Sequence, residues 1–271
     1  MAGLERFMAV LHLFDEATPA WTVQAIADRL DAPASTIYRS VRALVAAGFL
    51  APAGEAHYRL GTAVLEFDRL IRLTDPLTIE GAAILASLVE RADMACVGLV
   101  ASLYGDTVMC VADAAARTPD FRPSYERGRP MPLLRGATSK VILADLPTRR
   151  LKQLIGRAPD LDSDADRDAF RWSLAVVRRQ GYCVGRGELD PGLAGLAVPV
   201  RDPDGPTLAS LSLVVRERDL TPEAERSLVM LLSASAALLA EALARRRRGD
   251  GPATGPLDQT AASRASSRSK R

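Results

Sequence analysis

Residues 22–50, TVQAIADRLDAPASTIYRSVRALVAAGFL, decide the fold of the first part of this chain. Val23, Ile26, Ala27 and Leu30 recur at helical spacing, and Thr22 stands where a helix start needs a side-chain acceptor. Asp31-Ala32-Pro33-Ala34 is a turn, and Ser35 is placed to cap the next helix. The buried stripe of that helix is Ile37, Val41, Leu44 and Val45, and Gly48 ends it. Upstream, Leu4, Phe7, Met8, Leu11 and Phe14 form one helical face, broken by Thr18-Pro19-Ala20. Downstream, Phe49-Leu50, a loop through Pro52 and Gly54, and His57-Tyr58-Arg59-Leu60 predict a short hairpin. Helix, helix–turn–helix and hairpin make a winged helix-turn-helix over residues 1–61.

That module needs a polar face opposite its apolar stripe if it is to enter a major groove. Ser35, Thr36, Arg39, Ser40 and Arg42 supply it, with Tyr38 at its border and Arg59 in the hairpin. Arg pairs with guanine edges or phosphates, and Ser and Thr reach either. The same pattern also suits a solvated helix in a packing module. Residues 1–62 carry five basic and six acidic side chains, so bulk charge does not hold them on DNA. From Ser35 to Gly61 the balance is +2, so affinity is expected to rest on local placement and on a dimer that doubles the phosphate contacts.

A linker helix is expected over residues 62–75, with Val64, Phe67, Leu70 and Ile71 apolar and Asp75-Pro76 as the boundary. Residues 76–245 alternate helices and strands. Helices are predicted over Ile79–Arg91, Ser139–Ala144, Asp164–Arg179 and Thr221–Arg245. Strands are predicted over Ala95–Tyr104, Thr107–Ala112, Gly195–Val200 and Thr207–Val215, with a turn at Asp202-Pro203-Asp204-Gly205. This is an α+β domain with helices on an antiparallel sheet. Residues 246–271 read as a disordered basic tail: from Arg245 onward eight basic residues face Asp250 and Asp258. That segment holds +6 of a formal net +2, leaving −4 on the rest. A basic tail attracts nucleic acid without specificity, or is simply solvated.

Composition excludes several classes. The chain has 271 residues, 48% of them hydrophobic and 25% charged, as in an ordinary globular protein. Cys96, Cys110 and Cys183 are dispersed and His12 and His57 are the two histidines, so a Cys/His zinc site is not expected. An odd, scattered cysteine set points to the cytoplasm rather than a disulfide-bonded secreted protein. No signal peptide is read at the amino terminus. The longest uncharged apolar stretch, Ser227–Ala240, falls short of a membrane span, so no membrane partner is expected. There is no Gly-x-Ser-x-Gly elbow, phosphate-loop lysine motif or Gly-x-Gly-x-x-Gly fingerprint, so neither an enzyme nor a cofactor is expected.

Two runs of residues together carry a family resemblance. The first is Leu30-Asp31-Ala32-Pro33-Ala34-Ser35-Thr36-Ile37-Tyr38-Arg39, then Leu44, Gly48-Phe49 and Tyr58-Arg59-Leu60-Gly61. The second starts with Leu133-Leu134-Arg135-Gly136-Ala137-Thr138-Ser139-Lys140 and continues with Gly181-Tyr182-Cys183-Val184 and Glu188. Pro191-Gly192-Leu193, Ala197-Val198-Pro199-Val200 and Asp202 complete it. From Leu4 to Ala244 the chain resembles the IclR-type transcriptional regulators. The resemblance implies a winged helix-turn-helix, a linker helix and a GAF-like effector-binding domain. It implies a homodimer or homotetramer on double-stranded palindromic operator DNA, controlled by a small-molecule effector that is often a carboxylate. Asp31 stands where the family has a turn glycine, Leu134-Arg135 replace a common His-Ala, and Gly185-Arg186-Gly187 replace a more acidic run. Gly195 replaces a Cys or a larger residue.

The chemistry expected of an effector site is anion binding. Gly136 and Ala137 lead into a helix whose N–H groups and dipole suit an anion, and Thr138 and Ser139 add hydroxyls, unless these only cap the helix. Strand alternation puts Ser210 and Ser212 on one face, and the resemblance implies a ligand-facing serine at Ser212. Arg135 and Arg186 are read as cations beside the cavity that favour a carboxylate, with Cys183, Gly185, Glu188 and Gly195 around it. Cys183 reads as a small buried hydrophobe or as a redox sensor. The functional expectation is a sequence-specific DNA-binding repressor controlled by a carboxylate metabolite. A thiol-responsive regulator and an activator remain the alternatives.

Overall fold

The computed structural model describes residues 3–156, 161, 163–202, 205 and 207–249. They divide into two compact units, one ending at Thr74 and one beginning at Asp75. In the first, α1 (Gly3–Leu11), α2 (Val23–Arg29) and α3 (Ala34–Ala46) pack around Val10, Ile26, Ile37, Val41, Leu44 and Leu50. Ile26, Ile37, Val41 and Leu44 are residues the helical spacing assigns to the interior. On α1 the buried residue is instead Val10, while Leu4 and Met8 of the expected face are exposed, and the helix stops at Leu11 with Phe14 following in a turn. Thr22 caps α2, its hydroxyl accepting from the Ala25 N–H at 3.1 Å, worth about 1 kcal/mol. Ser35 does not cap α3. The helix starts at Ala34, Pro33 holds the cap position, and Ser35 falls inside the first turn. Asp31 adopts a left-handed φ of 47°, so it performs the job of the glycine it replaces.

The wing is β2 (Leu50–Pro52) against β3 (His57–Leu60), with the two-residue β1 (Trp21–Thr22) on the other side of β3. Gly61 closes it: a Cβ there would stand 2.1 Å from the Gly48 carbonyl oxygen. Its own N–H donates to the Phe49 carbonyl at 2.7 Å. The helix α4 (Ala63–Thr74) completes the unit, and Phe67 stacks on Phe49.

The second unit is built on a six-stranded antiparallel sheet. Its strands are β4 (Cys96–Tyr104), β5 (Thr107–Ala116), β6 (Pro130–Met131), β7 (Cys183–Arg186), β8 (Leu193–Arg201) and β9 (Thr207–Arg216). Their order is β6-β5-β4-β9-β8-β7. Two further helices cover one face: α5 (Pro76–Arg91), capped by Asp75, and the long C-terminal helix, Pro222–Arg248, capped by Thr221. The other face carries α6 (Ala137–Ala144), α7 (Thr148–Gly156) and α8 (Asp164–Gln180). The C-terminal helix is therefore α9. Strand alternation sorts the core: Leu211, Leu213 and Val215 face α5 and α9, while Val214 packs with Val97, Leu99 and Ala101 on the other side.

Several elements lie outside the sequence expectation. The strands β1, β6 and β7 and the helix α7 were not foreseen, and α6 begins at Ala137 rather than Ser139. Arg245–Arg248, read as the start of a tail, form the last turn of α9, which Gly249 closes in a left-handed conformation. Asp250–Arg271, and Pro203 and Asp204 of the expected turn, lie outside the described residues. By length and composition α9 could cross a membrane. Its Leu228, Leu232, Leu239 and Leu243, however, are core residues packed on the sheet.

Candidate functional site

Two sites follow from this scaffold, one on each unit. On α3 the exposed stripe is Ser35, Tyr38, Arg39 and Arg42, opposite the buried Ile37, Val41 and Leu44. The Arg42 guanidinium lies 5.9 Å from the centre of the Tyr38 ring, which holds both side chains along one edge. Arg39 Nε donates to the Ser35 carbonyl at 3.3 Å. No side chain caps α3 and no acid sits in its first turn, so its positive end is available to a phosphate. Thr36 is half-buried at the border, and Arg59 is exposed on β3.

Ser40 corrects the sequence reading. It is 2% exposed and cannot reach DNA. Its hydroxyl accepts from Arg6 Nε at 3.0 Å and donates to the Thr36 carbonyl at 3.2 Å. Ser40 thus fastens α1 to α3 and fixes the angle at which the stripe is presented. Arg6 was missed because nothing within 34 residues of Ser40 announces it.

On the second unit, Gly136, Ala137, Thr138, Gly185, Glu188 and Gly195 line one pocket at the start of α6, as the sequence expects. The structure adds Tyr125, Leu189, Asp190, Leu193 and Val214 to its wall. Gly136 has a φ of 84°, and a Cβ there would lie 2.7 Å from both Leu189 Cδ1 and the Tyr125 hydroxyl. Only glycine allows this approach. The Gly136 N–H donates to Glu188 Oε2 at 3.0 Å. Lys140 Nζ, one turn on, donates to Glu188 Oε1 and Oε2 at 2.8 and 2.7 Å. The space left is about 30 Å³, the share of one water.

Hydroxyls stand behind this ion pair. Thr138 Oγ1 and Ser212 Oγ are 3.0 Å apart and both are buried. Ser139 is buried too, but donates to the Pro132 carbonyl at 2.8 Å and does not line the pocket. Ser210 Oγ is fully buried and has no partner among the described residues. Burial pushes the Tyr125 phenol up to about 12, so it stays a neutral donor, with the Arg135 carbonyl at 3.4 Å.

Besides Ser139, Ser210 and Ser212, three further expected site residues do not line the pocket. Arg186 follows Gly185 on β7, so alternation turns it to the α9 side, where it pairs with Glu225 at 2.6 Å. Arg135 is exposed and spends a guanidinium N–H on the Glu188 carbonyl. Cys183 packs among Val141, Leu154 and Val177, away from the pocket. Burial pushes its thiol up to about 11, which leaves almost no thiolate at neutral pH. Cys96 and Cys110 are pushed up to about 11 and 12 for the same reason. The cation that does reach the site is Lys140, one helical turn from Gly136. A larger open groove of about 430 Å³ runs between α9 and β8, on the opposite face of the sheet, walled by Val198, Ala236, Ala240 and Ala244. Arg201, Glu241 and Arg248 stand along it as well, so it is mixed in character.

Comparison with known proteins agrees with both units. A model of the IclR helix-turn-helix domain matches residues 3–54, and one of the bacterial transcriptional regulator IclR C-terminal domain matches residues 81–240. The chain is 27% identical over 242 residues to the Pca regulon regulatory protein of Pseudomonas putida, covering 87% of this chain and 82% of that one. Its fold is similar to that of a putative IclR regulator from Silicibacter, with a TM-score of 0.77, 21% identity and coverage of 94% and 100%. It is also similar to an IclR homolog from Microbacterium hydrocarbonoxydans complexed with 4-hydroxybenzoate, with a TM-score of 0.70, 22% identity and coverage of 89% and 99%.

Proposed function

The chain belongs to the IclR family of bacterial transcriptional regulators, and from that premise we propose that it is a repressor that a small carboxylate metabolite removes from a palindromic operator. The family's members are regulators and not enzymes. The observation that carries the reading is the exposed stripe of Ser35, Tyr38, Arg39 and Arg42 on an uncapped α3 beside a wing that presents Arg59. The stripe enters the major groove, and Arg59 takes phosphate or the minor groove.

Operator binding is the work of a homodimer or homotetramer. One unit carries too little positive charge to bind alone, and α1 and α4 expose Leu4, Leu65, Phe67, Leu70 and Ile71, an apolar surface suited to a second copy. The effector is a carboxylate because the Gly136 N–H and the Lys140 ammonium already hold a carboxylate at the start of α6, in a pocket that Thr138 also lines. That a homolog binds 4-hydroxybenzoate supports the same class. The protein works in the cytoplasm, where both partners are found.

The test is to incubate the purified chain with sheared genomic DNA from its source and sequence what it retains. A palindrome enriched beside a promoter, and lost on addition of a carboxylate that the neighbouring genes consume, is the expected result. Retention that increases with the carboxylate points to an activator instead. No enrichment with or without candidate carboxylates would sink the DNA-binding reading.

A further inference from the structure

We propose that Glu188 is a built-in occupant of the effector site, a tethered carboxylate that an effector must displace. The inference rests on the carboxylate-effector reading and adds how that site is regulated. Beside the N–H groups of its first turn, the start of α6 offers an anion two further donors, the Gly136 N–H and the Lys140 ammonium. Both are already taken by the Glu188 carboxylate, at 3.0 Å and at 2.7–2.8 Å. The carboxylate is seated closely: a Cβ on Gly185 would stand 2.8 Å from Glu188 Oε1. Its neighbour Leu189 fills the space over Gly136, and Arg135 holds the Glu188 carbonyl from outside. About 30 Å³ is left, too little for any metabolite. A ligand therefore enters only where Glu188 and Leu189 withdraw.

The segment that carries them can withdraw. It runs between Gly187 and Gly192, which have φ of 61° and 76°. Its ends are pinned by the Gly187 N–H to the Leu193 carbonyl at 2.8 Å and the Glu217 N–H to the Gly192 carbonyl at 2.9 Å. The tip is held by Glu188 on Lys140, by Asp190 on the Ser124 N–H at 2.9 Å, and by one backbone bond, from the Leu193 N–H to the Asp190 carbonyl at 3.1 Å. An unpaired hydroxyl lies behind the pocket, further along β9. Ser210 Oγ is fully buried and unpartnered, on the same strand face as Ser212, whose hydroxyl meets Thr138 in the first turn of α6. A carboxylate tethered two residues past the end of β7 competes at high effective concentration. Apparent effector affinity is lowered by the fraction of molecules in which the tip is open.

The experiment uses acetate and benzoate as probes, with benzamide as the uncharged control, on the full chain and on Glu188→Gln. The variant keeps the side-chain shape and removes the charge that competes for Lys140. Affinity is read by calorimetry, and the tip by hydrogen exchange at the amides of residues 188–190. The proposal expects both carboxylates to bind the variant at least tenfold more tightly, benzamide to be unaffected, and exchange at the tip of the unsubstituted chain to rise on binding. Carboxylates that bind both proteins equally, or the variant more weakly, overturn the displacement and leave the effector class standing. A variant that takes neither acetate nor benzoate at tens of millimolar overturns the displacement, and the carboxylate reading falls with it. Glu188→Ala repeats the test should the glutamine amide hold the tip closed.

Discussion

The two sites of this molecule are kept ready in opposite ways. The α3 stripe is fully solvated, and Ser35, Tyr38, Arg39 and Arg42 are fixed by their own helix and by the Ser40–Arg6 bond beneath it. The α6 pocket has only about 30 Å³ of space left, and Glu188 holds its Gly136 N–H and Lys140 ammonium. The difference follows from the size of the partner. A duplex covers whatever surface it meets, so its site can stay open at no cost beyond hydration. A small anion needs a seat whose donors converge on it, and leaving a part-buried ammonium without a counter-charge has a cost. An internal carboxylate removes that cost until the ligand arrives.

The comparison breaks first if the stripe is not the DNA face. Replacing Arg39 and Arg42 together by Ala removes two groups worth about 1–3 kcal/mol each at base edges. Operator affinity is expected to fall at least about thirtyfold at physiological salt, with the thermal unfolding midpoint unchanged because both side chains are exposed. Titration of retained genomic fragments by fluorescence anisotropy measures the first, and a melting curve the second. Unchanged binding would move the interface off α3.

A sharper form of the contrast lies behind the pocket, between two serines of β9. Ser212→Ala strands Thr138 Oγ1 in the interior and is expected to destabilise the second unit by about 1–3 kcal/mol. Ser210→Ala removes a buried hydroxyl that has no partner, so the unfolding midpoint in urea is expected to hold or rise. The same substitution is expected to weaken carboxylate binding. Equal losses of stability at both positions would mean that Ser210 is satisfied in solution, and that the site is complete without a ligand.

Much of this was readable in the sequence, for local reasons. Thr22, the α3 stripe and the Thr221-Pro222 start of α9 are set by spacing and capping within a few residues. The failures are tertiary. Ser40 shares the side of α3 with Thr36, and only Arg6, brought up on α1, decides that it turns inward. Strand β7 is four residues long and glycine-bearing, so no alternation announces it. Without it, Gly185 and Arg186 both seem to face the pocket, whereas adjacent strand residues cannot. Lys140 was legible as the residue one turn after Gly136, but its use on Glu188, 48 residues away, was not. Tyr125 comes from the irregular segment between β5 and β6, which carries no periodicity at all.

The smallest expected effect separates the units chemically. All three cysteines lie in the second unit, and burial raises each thiol in the folded state. A thiol whose folded pKa is raised favours unfolding wherever the unfolded chain ionises and the folded one does not. Its contribution is therefore constant below the unfolded value of about 8.5 and is lost as pH climbs from there towards the folded value. For Cys183, pushed up to about 11, the loss between neutrality and one pH unit above the unfolded value is about 1 kcal/mol. Comparing the pH dependence of urea unfolding in the unsubstituted chain and in Cys183→Ala isolates it: the variant is less stable throughout, and the gap narrows by that amount in alkali. A gap that stays constant would mean the thiol ionises as freely folded as unfolded. That would return Cys183 to the list of reactive groups and put a thiol-responsive regulator back beside the carboxylate one.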